Sequence, residues 1–553
     1  MGRLASLAGL RTRDAWSVAS GVLLAGALAA VLLTYQDFGI TWDEPLHVEY
    51  GKLALRWYLS LGGDRALFEF QNLYLYGALH DTLIALLGRL LPFDDFAISH
   101  LGGALIGLFG FVGCHRVAVA ISGSPRAGFL ATALLLATPE YWGHLFNNPK
   151  DVPLAVAGIW ALFFLVRLTR ELPPATDGRT TLPRWSTLIG YGVALGAALG
   201  VRIAGVLLLA APAAVLLAWL GGRTRALGIG EATRETARLA WRLLPIPVVA
   251  VVVMLLSWPW ALLDPLHRPF EALEEFAKFP IDFSFIFAGQ SVRTADLPWW
   301  YLPVGFAVKL PETMLAGLAV ALGLAVRGLG HGRLPLDRLA LAAAIVLPPV
   351  AVIAAQSVVY DGIRHVLFLI PPMAVAGGIA FDRLAERLAP GARLASGALL
   401  ALALAGVLLG MVRLHPYQNI YYNRLVGGVP GAAERFELDY WGSAMSEAAR
   451  KLAEKIAANE GPASLQRPYH IYTCGPRTSA LHYLPTAWRD APPDPPYDFY
   501  IAFTRGPCDL TPYGPQILRI ERAGVPLAVV HDLRGDGPDF IDPGHRSETS
   551  DEP

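Results

Sequence analysis

The sequence predicts an α-helical polytopic membrane protein of about eleven transmembrane helices, ending in a small extracytoplasmic α/β domain. Three observations predict it. Hydrophobic residues make up 54% of the 553 and charged residues only 16%, and mean hydropathy is +0.44. A soluble chain of this size carries more charge. Long apolar runs separated by short basic loops are the pattern of helices solvated by lipid. From about residue 414 that pattern stops, and short strand-like runs take over. The formal net charge is zero, so nothing points to nucleic acid as a partner.

Hydropathy places the spans at 16–35, 98–119, 127–142, 152–168, 186–201, 203–220, 242–262, 301–326, 338–356, 363–382 and 394–412. The first run follows Arg3, Arg11 and Arg13. It has the length of a full span and no convincing small-residue cleavage site, so it reads as an uncleaved helix. An odd number of spans puts the termini on opposite sides. The basic loops (Arg116 and Arg126; Arg167 to Arg184; Arg223 to Arg242; Arg327 to Arg338; Arg383 to Arg393) then share one side, which the positive-inside rule makes cytoplasmic. Leu73 to Leu91 is apolar enough to span but carries His80, Asp81 and Arg89. Counting it as a span would make the basic loops disagree, so it is expected to lie along the outer interface as an amphipathic helix. The setting expected is the cell inner (plasma) membrane.

Residues 1–413 thus form the expected transmembrane domain, with outer loops 36–97, 143–151 and 264–300. Residues 414–534 form the outer α/β domain, and 535–553, rich in Gly, Pro, Asp and Ser, a disordered tail. Within the outer domain Ser443 to Asn459 has helical spacing. Tyr469–Thr473, Phe499–Phe503, Ile517–Arg522 and Leu527–Val530 read as strands, the last two joined at Ala523-Gly524. Cys474 and Cys508 fall in this part, where an oxidising compartment permits a disulfide; two unpaired thiols are the other reading.

Chemistry-bearing residues gather on the outer side. Thr41-Trp42-Asp43-Glu44-Pro45 sets two acids beside a tryptophan just past the first span. A carboxylate there could deprotonate an acceptor hydroxyl; equally, Asp43 could cap a helix that begins at Glu44-Pro45. His144, Asn147, Asn148, Lys150 and Asp151 occupy a short turn on the same side. Lys150 could bind a phosphate and the asparagines sugar hydroxyls, or the group is a cap with a snorkelling lysine. Arg202 interrupts an apolar stretch, which is costly unless it faces a polar cavity; its partner is a phosphate or one of Asp43 and Asp151. Arg364 and His365, before a late span, offer a planar fork and a further donor. Lys309, Pro311 and Glu312, with the aromatic 276–301 loop, could line a groove or anchor the chain in the interface. No His-x-x-His pair, clustered cysteines, P-loop or Gly-x-Ser-x-Gly elbow is present, so no cofactor or metal is called for, although a divalent ion is not excluded.

The acidic pair after the first span, the Asp of the next outer loop and the Arg-His before a late span resemble the C-type (GT-C fold) membrane glycosyltransferases. Within these the match is to family 39, the protein O-mannosyltransferases and the aminoarabinose transferase of lipid A. His415-Pro416-Tyr417-Gln418-Asn419-Ile420-Tyr421-Tyr422-Asn423 and Phe436-Glu437-Leu438-Asp439-Tyr440-Trp441-Gly442 resemble bacterial members of uncertain substrate. The resemblance covers about 1–440 and leaves the C-terminal domain unmatched. It implies a polyprenyl-phosphate sugar donor, attack from the extracytoplasmic side and inversion at the anomeric carbon. It makes Asp43, with Glu44 beside it, and Asp151 the catalytic acids. Neither sugar nor acceptor (protein, lipid or glycan) follows from it. The alternatives are a membrane transporter, which favours mid-membrane polar groups and an inverted repeat, and a non-catalytic envelope assembly protein, which has no need of acids at both 43 and 151.

Overall fold

The computed structural model describes residues 2–172, 183–277, 281–329, 334–493, 496–509 and 514–535. Arg179, Arg333 and all but the first residue of the expected tail lie outside them. Among the described residues eight helices are long and apolar enough to cross a membrane, or nine if Tyr301–Lys309 and Glu312–Gly328, bent by 119° at their junction, count as one.

By length and composition this does not confirm the expected count of about eleven. The two segments that fall short are apolar helices of 12 and 15 residues, Pro125–Leu136 and Trp185–Leu199. The first stops early because Pro139 cannot continue it; a second, six-residue helix, Pro139–His144, starts there instead. The expected first span is also longer, since its helix runs Gly2–Thr34 and takes in the basic N-terminus. The expected basic loop at 223–242 is helical too, within Ala210–Leu227 and Ile229–Leu243.

Leu79–Leu90 is a separate 12-residue helix. Leu83, Leu86, Leu87 and Leu90 are exposed, while Asp81 on its inner face is buried between His47 (2.8 Å) and His80 (3.2 Å). That trio explains charge on an otherwise apolar helix. Burial raises the Asp81 carboxyl, but the two histidines bring it down to about 2. The segment before this helix reaches its place through Gly77. A Cβ there would sit 2.0 Å from the Gly200 carbonyl oxygen; without one, Leu79 N donates to Gly200 O (3.2 Å) and Ala78 N to Ser257 O (2.9 Å).

The expected outer loop at 264–300 contains a helix, Arg268–Ala277, and a hairpin of β1 (Ser284–Phe287) and β2 (Gln290–Arg293). After the last apolar helix, Pro390–Leu414, come helix Met445–Glu460 and five strands: β3 (His470–Cys474), β4 (Arg489–Asp490), β5 (Phe499–Phe503), β6 (Gln516–Arg522) and β7 (Val525–Asp532). The sheet order is β4-β3-β5-β7-β6. β3 runs parallel to β4 and β5, and β7 antiparallel to β5 and β6. β5 is buried along its whole length, as a central strand with covered faces must be. A disulfide joins Cys474 to Cys508.

Candidate active site

Asp43 stands at the N-cap position of helix Glu44–Leu59, yet its side chain caps nothing. Its carboxylate instead accepts a hydrogen bond from Lys150 Nζ at 2.8 Å. The turn that carries it is held from two directions. Glu44 accepts from Thr41 N (3.3 Å) and pairs with His100 (3.0 Å). Asn147 accepts from the Thr41 hydroxyl (3.1 Å) through its backbone oxygen and donates to Gly39 O (3.4 Å) through its side chain. The first outer turn is therefore fastened to the 143–151 turn, 106 residues away. Glu44 itself is fully buried and lies outside the charged group that Asp43 joins.

Asn148 takes the capping duty at the start of helix Asp151–Glu171. Its side-chain oxygen accepts from Lys150 N (3.3 Å) and Asp151 N (2.9 Å). Asp151 is thus free to turn its carboxylate to other partners. It takes Asn148 Nδ2 at 3.1 Å, Arg364 Nη1 at 3.6 Å and Arg202 at close range. Arg202 accordingly pairs with Asp151, and a buried acid between two arginines meets the cost of charge in an apolar setting. Lys150 also lies over the Tyr76 ring, 5.1 Å from its centroid, which the Gly77 approach brings near.

Arg364 is 3% exposed and sandwiched by the rings of Tyr360 (5.0 Å) and Trp441 (5.1 Å). Asp361 grips its Nε and Nη2 at 3.2 and 3.0 Å. Asp361 sits at φ +56 and Gly362 at φ +68, a left-handed pair that costs energy at the aspartate and aims it inward. His365 stands edge-on to Tyr360 at 4.7 Å. His144 is fully buried, receives Asn148 Nδ2 at 3.3 Å and meets the Tyr440 hydroxyl at 2.9 Å.

Of the residues the sequence singles out, Asp43, Lys150, Asp151, Arg202 and Arg364 meet in one connected group of charges. Asn147, Asn148 and His144 frame it, and Glu44 and His365 stand at its edge. Lys309 is elsewhere, in a buried ion pair with Glu140 (3.3 Å) and bonded to Asn419 O (2.6 Å). Sequence reasoning missed Asp361, Arg505, Glu437 and Tyr440. Arg505, just past β5, donates to Asp361 Oδ1 (3.0 Å), to Glu437 Oε1 (3.3 Å) and to Tyr440 O (2.9 Å). Asp361 stands three residues before Arg364, and Glu437 and Tyr440 lie inside the aromatic motif that carries the resemblance, with no role read for them there; nothing local marks Arg505.

Burial raises the Asp43 carboxyl, but Lys150 and then Arg364 more than offset it and hold it well below the usual carboxylate range. Burial lowers Lys150, and Asp43 more than restores it. Glu437 behaves oppositely: burial pushes it up to about 7, against the pull of Arg505. Among the described residues no group of three or more His, Cys, Asp or Glu is arranged to hold a metal ion.

No family model and no curated protein matches the chain. Solved structures resemble it. ArnT from Cupriavidus metallidurans in the apo state has a TM-score of 0.49 at 16% identity, covering 95% of this chain and 100% of that one. AglB, the oligosaccharyltransferase of Archaeoglobus fulgidus, in complex with an inhibitory peptide and a dolichol-phosphate, has 0.46 at 11%, covering 88% and 69%. The mycobacterial arabinofuranosyltransferase AftD has 0.40 at 14%, covering 94% and 41%. With TM-scores of 0.40 to 0.49 and identities of 11–16%, these likenesses carry no further argument about this chain.

Proposed function

We propose that this chain is an inverting glycosyltransferase that moves a sugar from a polyprenyl-phosphate donor to an acceptor on the extracytoplasmic side of the inner membrane. One observation carries the reading: Asp43 leaves its own helix uncapped and faces a cluster of buried cations. A purely structural aspartate at that position would cap.

Asp43 is the base. It takes the proton of an acceptor hydroxyl or amine, whose lone pair attacks the anomeric carbon. The bond from that carbon to the phosphate oxygen breaks, and the lipid phosphate leaves with the electron pair on the face opposite the attack. Lys150, Arg202 and Arg364 stabilise the charge that builds on the departing phosphate. Lys150, Arg202, Arg364 and Arg505 are balanced by Asp43, Asp151, Asp361 and Glu437. With Glu437 protonated, the cluster has one surplus positive charge for the incoming anion. A phosphate that draws Lys150 away from Asp43 also removes the larger part of what depresses its carboxyl, so donor binding makes the base stronger.

The test is sugar transfer by membranes carrying the Asp43→Asn variant. Loss on the order of a hundredfold or more, with normal insertion, is expected for a lost general base. Full activity in a correctly inserted variant removes the assignment.

A further inference from the structure

Arg505 lies far along the chain from every other member of the cluster, yet it completes it. It follows β5, the buried central strand of the C-terminal sheet. Its guanidinium lies over the Phe283 ring at 5.2 Å, and all of its described polar contacts face the cluster. Asp361 divides its two oxygens. Oδ2 holds Arg364 at 3.0 and 3.2 Å, and Oδ1 holds Arg505 at 3.0 Å. Arg364 in turn reaches Asp151 with its remaining nitrogen, Nη1, at 3.6 Å. Asp361 is thus a two-sided clamp, with Arg364 on one oxygen and Arg505 on the other.

We propose that Arg505 is a positioning residue: by holding Asp361 from the C-terminal sheet, it sets where Arg364 stands, and so makes that sheet part of the phosphate-binding machinery. This rests on the reading of the cluster as a lipid-phosphate site. Without Arg505, Asp361 and Glu437 face each other with no cation between them. Arg364, already held by Asp361, is then drawn further toward the pair of acids, and that shift takes it away from Asp151 and from the phosphate. A planar fork meets two carboxylates from nitrogens fixed in one plane, whereas a lysine ammonium meets them as a compact point charge on a flexible stem. The contact also gives the sheet a means of reporting on what it touches, since any movement of β5 is passed to Arg364 through two charged contacts.

The experiment uses the full chain in detergent, with undecaprenyl phosphate as the probe, and compares Arg505→Gln, Arg505→Lys, Arg364→Gln and the double variant. Binding and thermal unfolding are both measured. Arg505→Gln should weaken binding about tenfold, the scale on which a residue that orients a ligand matters. Arg505→Lys should recover part of it, and the double variant should bind no worse than Arg364→Gln alone. Unimpaired binding by Arg505→Gln, where Arg364→Gln has lost it, overturns the positioning role and leaves the site reading intact. So does a loss that simply adds to that of Arg364→Gln, or one that tracks a fallen melting temperature and is not rescued by lysine. No binding by the unaltered protein, or equal binding by Arg364→Gln, fells the lipid-phosphate reading itself and the positioning role with it.

Discussion

Asp43 and Asp151 carry the same charge in the same cluster, and they should fail differently. Asp151 is 1% exposed and answers Arg202 and Arg364. Asp151→Asn leaves Arg202 without its counter-ion and Arg364 with Asp361 alone in an apolar setting, a loss of about 3–5 kcal/mol, to be read from unfolding in detergent. Asp43 is half-open, and its partner Lys150 has a flexible stem. Asp43→Asn should therefore cost little stability while abolishing transfer. Equal loss of stability in the two variants would make both of them struts. The acids also separate by pH. The Asp43 carboxyl is held below its ordinary 3.8, so its stabilising effect is present above that value and lost only as pH falls through the lower folded one. It contributes no transition near neutrality. Glu437, raised from 4.5 to about 7, binds its proton more tightly folded than unfolded. Its effect is full below 4.5 and lost as pH rises through about 7. Melting temperature should decline between about pH 4.5 and 7, and undecaprenyl-phosphate binding as pH passes through about 7, and Glu437→Gln should flatten both curves.

At the level of elements, the strands read at Phe499–Phe503 and Ile517–Arg522 and the turn at Ala523-Gly524 were legible because their signals are local. Alternation, β-branched residues and a glycine decide them, and Ala523 and Gly524 both take positive φ. Arg489–Asp490 was not legible, since two residues carry no period. The span at 127–142 was misread because hydropathy averages across Pro139, whereas the helix cannot. The approach of 73–79 to Gly200 was also invisible, because it depends on two glycines 123 residues apart that meet only in space. It makes a sharp prediction. In Gly77→Ala the new methyl lies 2.0 Å from a backbone oxygen that has nowhere to go. The segment must shift, with a loss of about 1–3 kcal/mol in unfolding. Tyr76 and the Lys150 it covers should move with it, so lipid-phosphate affinity should fall as well. A variant that melts and binds like the parent would mean that this contact does not seat the site.

For the whole molecule, the residue types of the site could be read from the sequence, because charge beside an apolar run is unusual wherever it occurs. Their partners could not be read, because pairing is a through-space fact: Arg505 reaches Asp361 across 144 positions. The orientation was argued from arginines in loops that touch none of this, and it carries its own test. Ser60, at the end of the helix that Asp43 begins, and Glu454, on the helix beside the C-terminal sheet, are both exposed. Thr233, among the arginines of Ile229–Leu243, is also exposed. Single cysteines at these three positions should divide cleanly against a membrane-impermeant maleimide applied to spheroplasts. Ser60→Cys and Glu454→Cys should label at once, and Thr233→Cys only after the membrane is opened. The native thiols do not interfere, because Cys114 is buried and the other two are bridged. Reversed labelling would put the cluster in the cytoplasm, where an acceptor delivered from outside has no access to Asp43. Labelling of Ser60 and Glu454 from opposite faces would break the contact between loop, cluster and sheet on which sugar transfer at this site depends.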